Sequence, residues 1–132
     1  MERLPALKKY LLISLGLGVL LTAAYYVYRL SLSPFETDAF EKAEWQQEVS
    51  LEESFSCYRG GMASDIKNNK LVAGMRVEHV VNLLGKPDTT KFNKQEIQYI
   101  LGMCSGFGID YDVLHIHFNE HGEFTNAKII QH

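Results

Sequence analysis

From Tyr10 to Tyr28 the chain runs for 19 residues without a charge, and most of those residues are strongly apolar. At about 1.5 Å rise per residue, a helix over this run measures roughly 28 Å, close to the ~30 Å hydrocarbon core of a bilayer. Ser14 and Thr22 interrupt the run, but their hydroxyls can bond to their own helix backbone. Tyr10 stands at one end and Tyr25, Tyr26 and Tyr28 at the other, where an aromatic belt lies at a membrane interface. A domain built from the rest of the chain is too small to surround a helix that is apolar on every side. Residues 10–30 therefore read as a transmembrane helix, preceded by a short N-terminal segment over 1–9.

The flanking charge sets the expected orientation. Residues 1–32 hold Arg3, Lys8, Lys9 and Arg29 against Glu2 alone, a net charge of +3. The other 100 residues hold nine basic and fifteen acidic residues, a net of −6, so the overall −3 describes neither part. With the basic cluster ahead of the span, the positive-inside rule keeps the N-terminus in the cytoplasm and sends the body across the membrane. In a bacterium this is a single-pass inner-membrane protein with a periplasmic C-terminal domain. Thr22-Ala23-Ala24 also offers small residues for signal-peptide cleavage after Ala24. The apolar run continues past that point to Tyr28, and this favours an uncleaved anchor.

Composition excludes several classes. An acidic body does not suit nucleic-acid binding, which needs clustered Lys and Arg to neutralise phosphates. Two cysteines, Cys57 and Cys104, cannot build a disulfide-dense scaffold, and no CxxC pair suggests zinc. In an oxidising compartment the two could pair with each other. Three prolines and 11% aromatic residues exclude disorder throughout the chain.

Residues 31–58 read as an acidic, partly helical stalk. Pro34 marks a break, and Glu36, Asp38, Glu41, Glu44, Glu48, Glu52 and Glu53 follow. Phe40, Ala43, Gln47 and Leu51 recur at helical spacing, while Trp45, Val49 and Phe55 fall off that stripe. The alternative for this stretch is a helix that docks a partner through Phe40 and Trp45.

Residues 59–132 have the pattern of a folded domain. A short helix is expected over 62–70, with Met62 and Ile66 four apart. Val77, Val80, Val81 and Leu84 then form the apolar face of a second helix. Gly85 tolerates positive φ and Pro87 blocks continuation, so that helix stops there. Three strands follow. Ile97, Tyr99 and Leu101 share one face of the first; Leu114, Ile116 and Phe118 share one face of the second, opposite Val113, His115 and His117. A turn at Gly122 leads into the last strand, Phe124 to Gln131. The order predicts an α+β domain: two short helices on one face of a three-stranded antiparallel sheet.

The segment Gly74-Met75, Val80, Leu83-Leu84-Gly85-Lys86-Pro87-Asp88, with Tyr99, Leu114-x-Ile116-x-Phe118 and Gly122, resembles the SmpA/OmlA family. The outer-membrane assembly factor BamE belongs to that family, and β-lactamase inhibitor proteins carry a similar unit in duplicate. The resemblance covers roughly residues 59–132. It implies an αα-βββ fold that works by protein–protein contact in the cell envelope, without catalysis and without cofactors. The chain departs from BamE-type members in two ways. Arg76 stands where family members often carry a capping Ser or Thr, and an apolar helix replaces the lipid-attachment cysteine.

Chemistry-bearing residues are few. His115 and His117 share one strand face, with His121, Asp110 and Glu120 nearby in sequence. Paired histidines at this spacing can ligate zinc or copper, whereas the simpler reading is a polar, solvent-facing strand surface. Gly60-Gly61 and Gly106-Phe107-Gly108 lack the context of a phosphate-binding loop. No nucleophile, base and orienting group assemble from the sequence. The expected role is a membrane-anchored, non-enzymatic envelope protein that binds another envelope protein through the open sheet face or the 102–111 loop. The alternative is a secreted binding or inhibitory module released after Ala24.

Overall fold

A run that is apolar on all sides has no polar face to turn to water in a small domain, and Arg3–Ser31 forms a single 29-residue helix, α1. The structure, a computed structural model, describes residues 3–91 and 95–132. It divides into two units between Ser33 and Pro34. Within α1, the 22 residues Leu7–Tyr28 are long and apolar enough to cross a membrane, with a mean hydropathy of 1.8 over an 18-residue window. Its side chains are exposed along that whole length. The Ser14 hydroxyl donates to the Leu11 carbonyl, and that of Thr22 to the Gly18 and Val19 carbonyls, so neither leaves an unpaired polar group on an apolar surface.

The second unit, Pro34 to His132, is an α+β domain. Its sheet has four antiparallel strands in the order β1 (Thr89–Lys91), β2 (Glu96–Gly102), β3 (Asp112–Phe118), β4 (Phe124–Gln131). Three strands were expected; β1 is the addition. Thr89, Thr90 and Lys91 are exposed and too few to alternate visibly, so only pairing with β2 reveals the strand. Ile97, Tyr99, Leu101, Leu114, Ile116 and Phe118 point from the sheet into the core.

Helical segments cover that face: α2 (Lys42–Trp45), α3 (Ala63–Asp65) and α4 (Val77–Leu84). The helix expected over 62–70 is made of short pieces. A 3-10 turn, Gly60–Met62, leads into α3, and a π turn, Ile66–Lys70, follows it. Met62, Ala63 and Ile66 are buried from this stretch. α4 buries Val80 and Leu84 and has no side-chain cap at Arg76. It ends at Gly85, whose φ of +85° falls in the region that an L side chain avoids.

The stalk expected over 31–58 is corrected from Pro34 onward: those residues belong to the domain. Phe35 and Phe40 pack on the core, and Trp45 is fully buried within it. Trp45 is thus not available to dock a partner. The seven acidic side chains made the stretch look solvated, because they mask three aromatic residues spaced five apart, a period that matches neither a helix face nor a strand face. The Asp65 carboxylate accepts from the Phe40 N–H at 2.8 Å and helps hold this segment down.

The residues of the Gly74–Gly122 motif meet one another structurally. The Gly74 N–H donates to the Phe124 carbonyl, the Phe124 N–H to that of Met75, and the Val77 N–H to that of Gly122. The Tyr99 hydroxyl donates to the Gly85 carbonyl at 2.8 Å, so strand β2 is tied to the helix stop. Burial pushes the ionisation of Tyr99 well above its ordinary value, so the phenol remains a donor. Leu83 is partly buried, and Pro87 follows the stop on the way to β1.

Candidate interaction surface

Period-2 alternation sends one set of side chains to the face of the sheet that the helices leave open. The register places Glu96 beside His117 and Asn126, Gln98 beside His115 and Lys128, and Ile100 beside Val113 and Ile130. This face carries a chain of hydrogen bonds. The Glu96 carboxylate accepts from Gln98 Nε2 at 2.6 Å and from His115 Nδ1 at 2.7 Å. A carboxylate only accepts, so His115 Nδ1 carries a proton toward Glu96. On the other side of the ring, His115 Nε2 is hydrogen-bonded to His132 Nε2 at 2.9 Å.

The two rings meet head-on. Their centroids are 5.1 Å apart and their planes differ by 17°; that separation is close to the 2.9 Å contact plus the two ring radii. At 2.9 Å the two nitrogens share a proton in a direct hydrogen bond, which occupies the position a metal between them would need. His117 lies parallel to His115 with centroids 6.4 Å apart, while Asp110, Glu120 and His121 are exposed elsewhere. Among the described residues, no group of three His, Cys, Asp or Glu side chains could hold a metal ion. The reading of His115 as solvent-facing is also corrected: it is buried, with His132 packed against its outer edge. Tyr111 lies parallel to His132 on the far side, and its carbonyl accepts the His132 N–H.

Burial pushes the Glu96 carboxyl up, but the hydrogen bonds from Gln98 and His115 outweigh it and hold the group below its ordinary value of 4.5. A group with a lowered folded pKa contributes stability that is complete above its unfolded value and is lost as pH falls through the folded one. Thermal stability should therefore fall as pH drops below 4.5. In Glu96→Gln, melts over the same range should fall less steeply. Part of the loss remains, because the Phe40 N–H and Asn69 also hold Asp65 below its ordinary value. An unchanged pH profile in Glu96→Gln would contradict this account.

Beside the open face stands the loop from Met103 to Tyr111. Its base is fixed twice. Cys104 is bonded to Cys57, and the buried Asp112 carboxylate accepts from the Cys104 N–H, the Ser105 N–H and the Ser105 hydroxyl. Gly102 precedes it with φ +97°, where a Cβ would run into the Ser56 carbonyl. From this rigid base the loop presents Phe107, 97% exposed, and Ile109, 76% exposed. Tyr111 links the loop to the His132–His115 row. A second apolar feature lies on the other side of the sheet. There a groove of about 470 Å³ is lined by Val77, Val81, Pro87, Thr90 and Ile97, with Glu78 and Asn82 at its edge.

Sequence reasoning singled out the 102–111 loop and His115. It missed Glu96, Gln98 and His132, whose only signal was their place on the polar side of the alternation. Cys57 and Cys104, 47 residues apart, come together because the 53–58 segment crosses the start of the loop. No protein-family model matches the chain, and no curated protein and no solved structure matches it.

Proposed function

We propose that this chain is a membrane-anchored, non-enzymatic envelope protein that acts by protein–protein contact, with Pro34–His132 as a periplasmic domain. The observation that carries the reading is the Phe107–Tyr111 loop. Two large apolar side chains stand almost fully in solvent on a base clamped by a disulfide and by Asp112. Exposed apolar groups on a pre-ordered frame lose little conformational entropy on binding, which suits a recognition loop. The apolar α1 helix with its basic flank supports the anchor and the orientation. The Cys57–Cys104 bond suits an oxidising compartment. The motif through Gly74, Leu84, Gly85 and Pro87 supports membership of a SmpA/OmlA-like group.

Membrane fractionation and in-cell photocrosslinking test the reading together. Benzoylphenylalanine at position 109 of the full chain should yield a discrete adduct in the inner-membrane fraction. Phe107→Ser in the same chain should reduce it at least several-fold. A soluble, shortened periplasmic product would replace the anchor with a cleaved signal sequence. An intact inner-membrane chain with no adduct from 107 or 109 would count against the loop as the contact site.

A further inference from the structure

We infer that two copies of this chain associate through the free edges of their β4 strands, forming one antiparallel sheet across a two-fold axis at Ile129. β4 is the last strand of the sheet, Phe124–Gln131, and no further strand pairs with its outer side among the described residues. The register pairs Asp112 with Gln131 and Val113 with Ile130, and the His132 N–H donates to the Tyr111 carbonyl. That bond sets the alternation: 126, 128 and 130 turn their backbone groups toward β3, while 127, 129 and 131 turn theirs outward. Among the described residues, no hydrogen bond reaches the outward N–H or C=O of Ala127, Ile129 or Gln131. The start of the edge is closed, because Phe124 is bonded on both backbone groups by Gly74 and Met75. Thr125 lies at the irregularity opposite His117 and Phe118.

What remains is a short open row, and such a row is a template for another strand. Its own sequence is the complement. An antiparallel copy centred on Ile129 pairs 127 with 131, 129 with 129 and 131 with 127, and so satisfies every outward group in both chains. In that register Ile129 meets Ile129 beside the core, and Lys128 lies across from Ile130. Ile130 is 41% exposed, and the lysine stem covers it while the ammonium stays in water. Moving the register by two residues in one direction leaves 131 without a partner and sets Lys128 against Lys128, which is unfavourable for a cross-strand pair. The two-fold arrangement also closes on itself. Pairing β4 with β1 of the next copy would instead propagate without end and would use an edge of only three residues. The contact is small, and confinement to a common membrane through α1 raises the effective concentration at which it forms.

The test uses the full chain in native membranes. Across a two-fold axis, residues paired by hydrogen bonds lie about 5.5 Å apart at Cα, within the roughly 4.4–6.8 Å that a disulfide spans. Ile129→Cys should therefore oxidise to a covalent dimer of twice the chain mass. Thr125→Cys should not, since its two copies would be about 27 Å apart at ~3.4 Å per residue. Adding Ala127→Pro to Ile129→Cys removes an outward donor without touching the β3 bonds, and should lower the dimer yield about tenfold. Ile129→Lys, which opposes two like charges, should give a monomer by chemical crosslinking in the same membranes where the parent gives a dimer. It serves equally if the proline variant does not fold. Absence of the Ile129→Cys dimer, equal dimer from Thr125→Cys, or a dimeric Ile129→Lys protein would each overturn the inference. So would an Ile129→Cys adduct to a different protein, which would assign the edge to a partner. The adduct from position 109 is read separately, so either result can fail alone.

Discussion

Trp45→Ala should cost the domain about 3–5 kcal/mol, the range for truncating a large buried aromatic side chain. The indole is fully buried, with Tyr99 at 5.8 Å and Phe40 at 6.3 Å between ring centroids. Its Nε1–H donates to the Leu84 carbonyl at 3.0 Å, one of the last acceptors of α4. Arg59 adds two links: its guanidinium lies 5.2 Å over the ring, and its Nε–H donates to the Trp45 carbonyl. Truncation opens a cavity and orphans the Leu84 carbonyl, and a buried acceptor without a partner costs about 1–3 kcal/mol. Against a typical total of roughly 5–15 kcal/mol, such a loss leaves the domain marginal at growth temperature. Trp45→Phe keeps most of the volume but not the donor, and should cost about 1–3 kcal/mol. Urea melts of the three proteins decide the matter. A loss under about 1 kcal/mol in Trp45→Ala would mean that the 34–58 segment does not fold cooperatively with the sheet.

Removing the disulfide should have an effect of similar size by a different route. Cys57 and Cys104 close a loop with a sequence separation of 47, and the chain-entropy relation assigns such a crosslink about 4 kcal/mol, through the unfolded state. The double variant Cys57→Ser/Cys104→Ser keeps the Asp112 contacts to Cys104 N and Ser105, so the loop base is weakened without being dissolved. Amide exchange should accelerate most around 53–58 and 103–111, and least in β3. The parent in reductant should behave as the double variant does. Equal urea midpoints for the oxidised parent and the double variant would refute the argument. Loss of the position-109 adduct in the double variant would follow if the contact loop depends on this clamp.

These two predictions fall on residues that the sequence described differently. Cys57 and Cys104 could be named as a candidate pair, since only two cysteines exist and the expected compartment is oxidising. Trp45 could not be placed, because seven carboxylates around it gave the segment the character of a solvated stalk. Burial there depends on Arg59, Leu84 and Tyr99, which lie 14 to 54 residues further along the chain. The same limit applies to the open face. Alternation put His115 on the polar side of β3, but only the strand register brings Glu96 and His132 to its two nitrogens.

By itself the amino-acid sequence determined what local repetition can encode. It specified an apolar helix of membrane-crossing length, the α4 stripe and its stop at Gly85, the alternation of β2 to β4 and the turn at Gly122. These follow from the 3.6- and 2-residue periods and from the φ range that glycine alone enters readily, so neighbouring residues suffice to read them. Tertiary structure decided what depends on distant surfaces: the burial of Trp45, the pairing of β1, the disulfide, the row through Glu96, His115 and His132, and which edge of the sheet stays open. Apart from β1, which pairs with the strand that follows it, these depend on segments well separated in sequence and on the register in which β2, β3 and β4 meet.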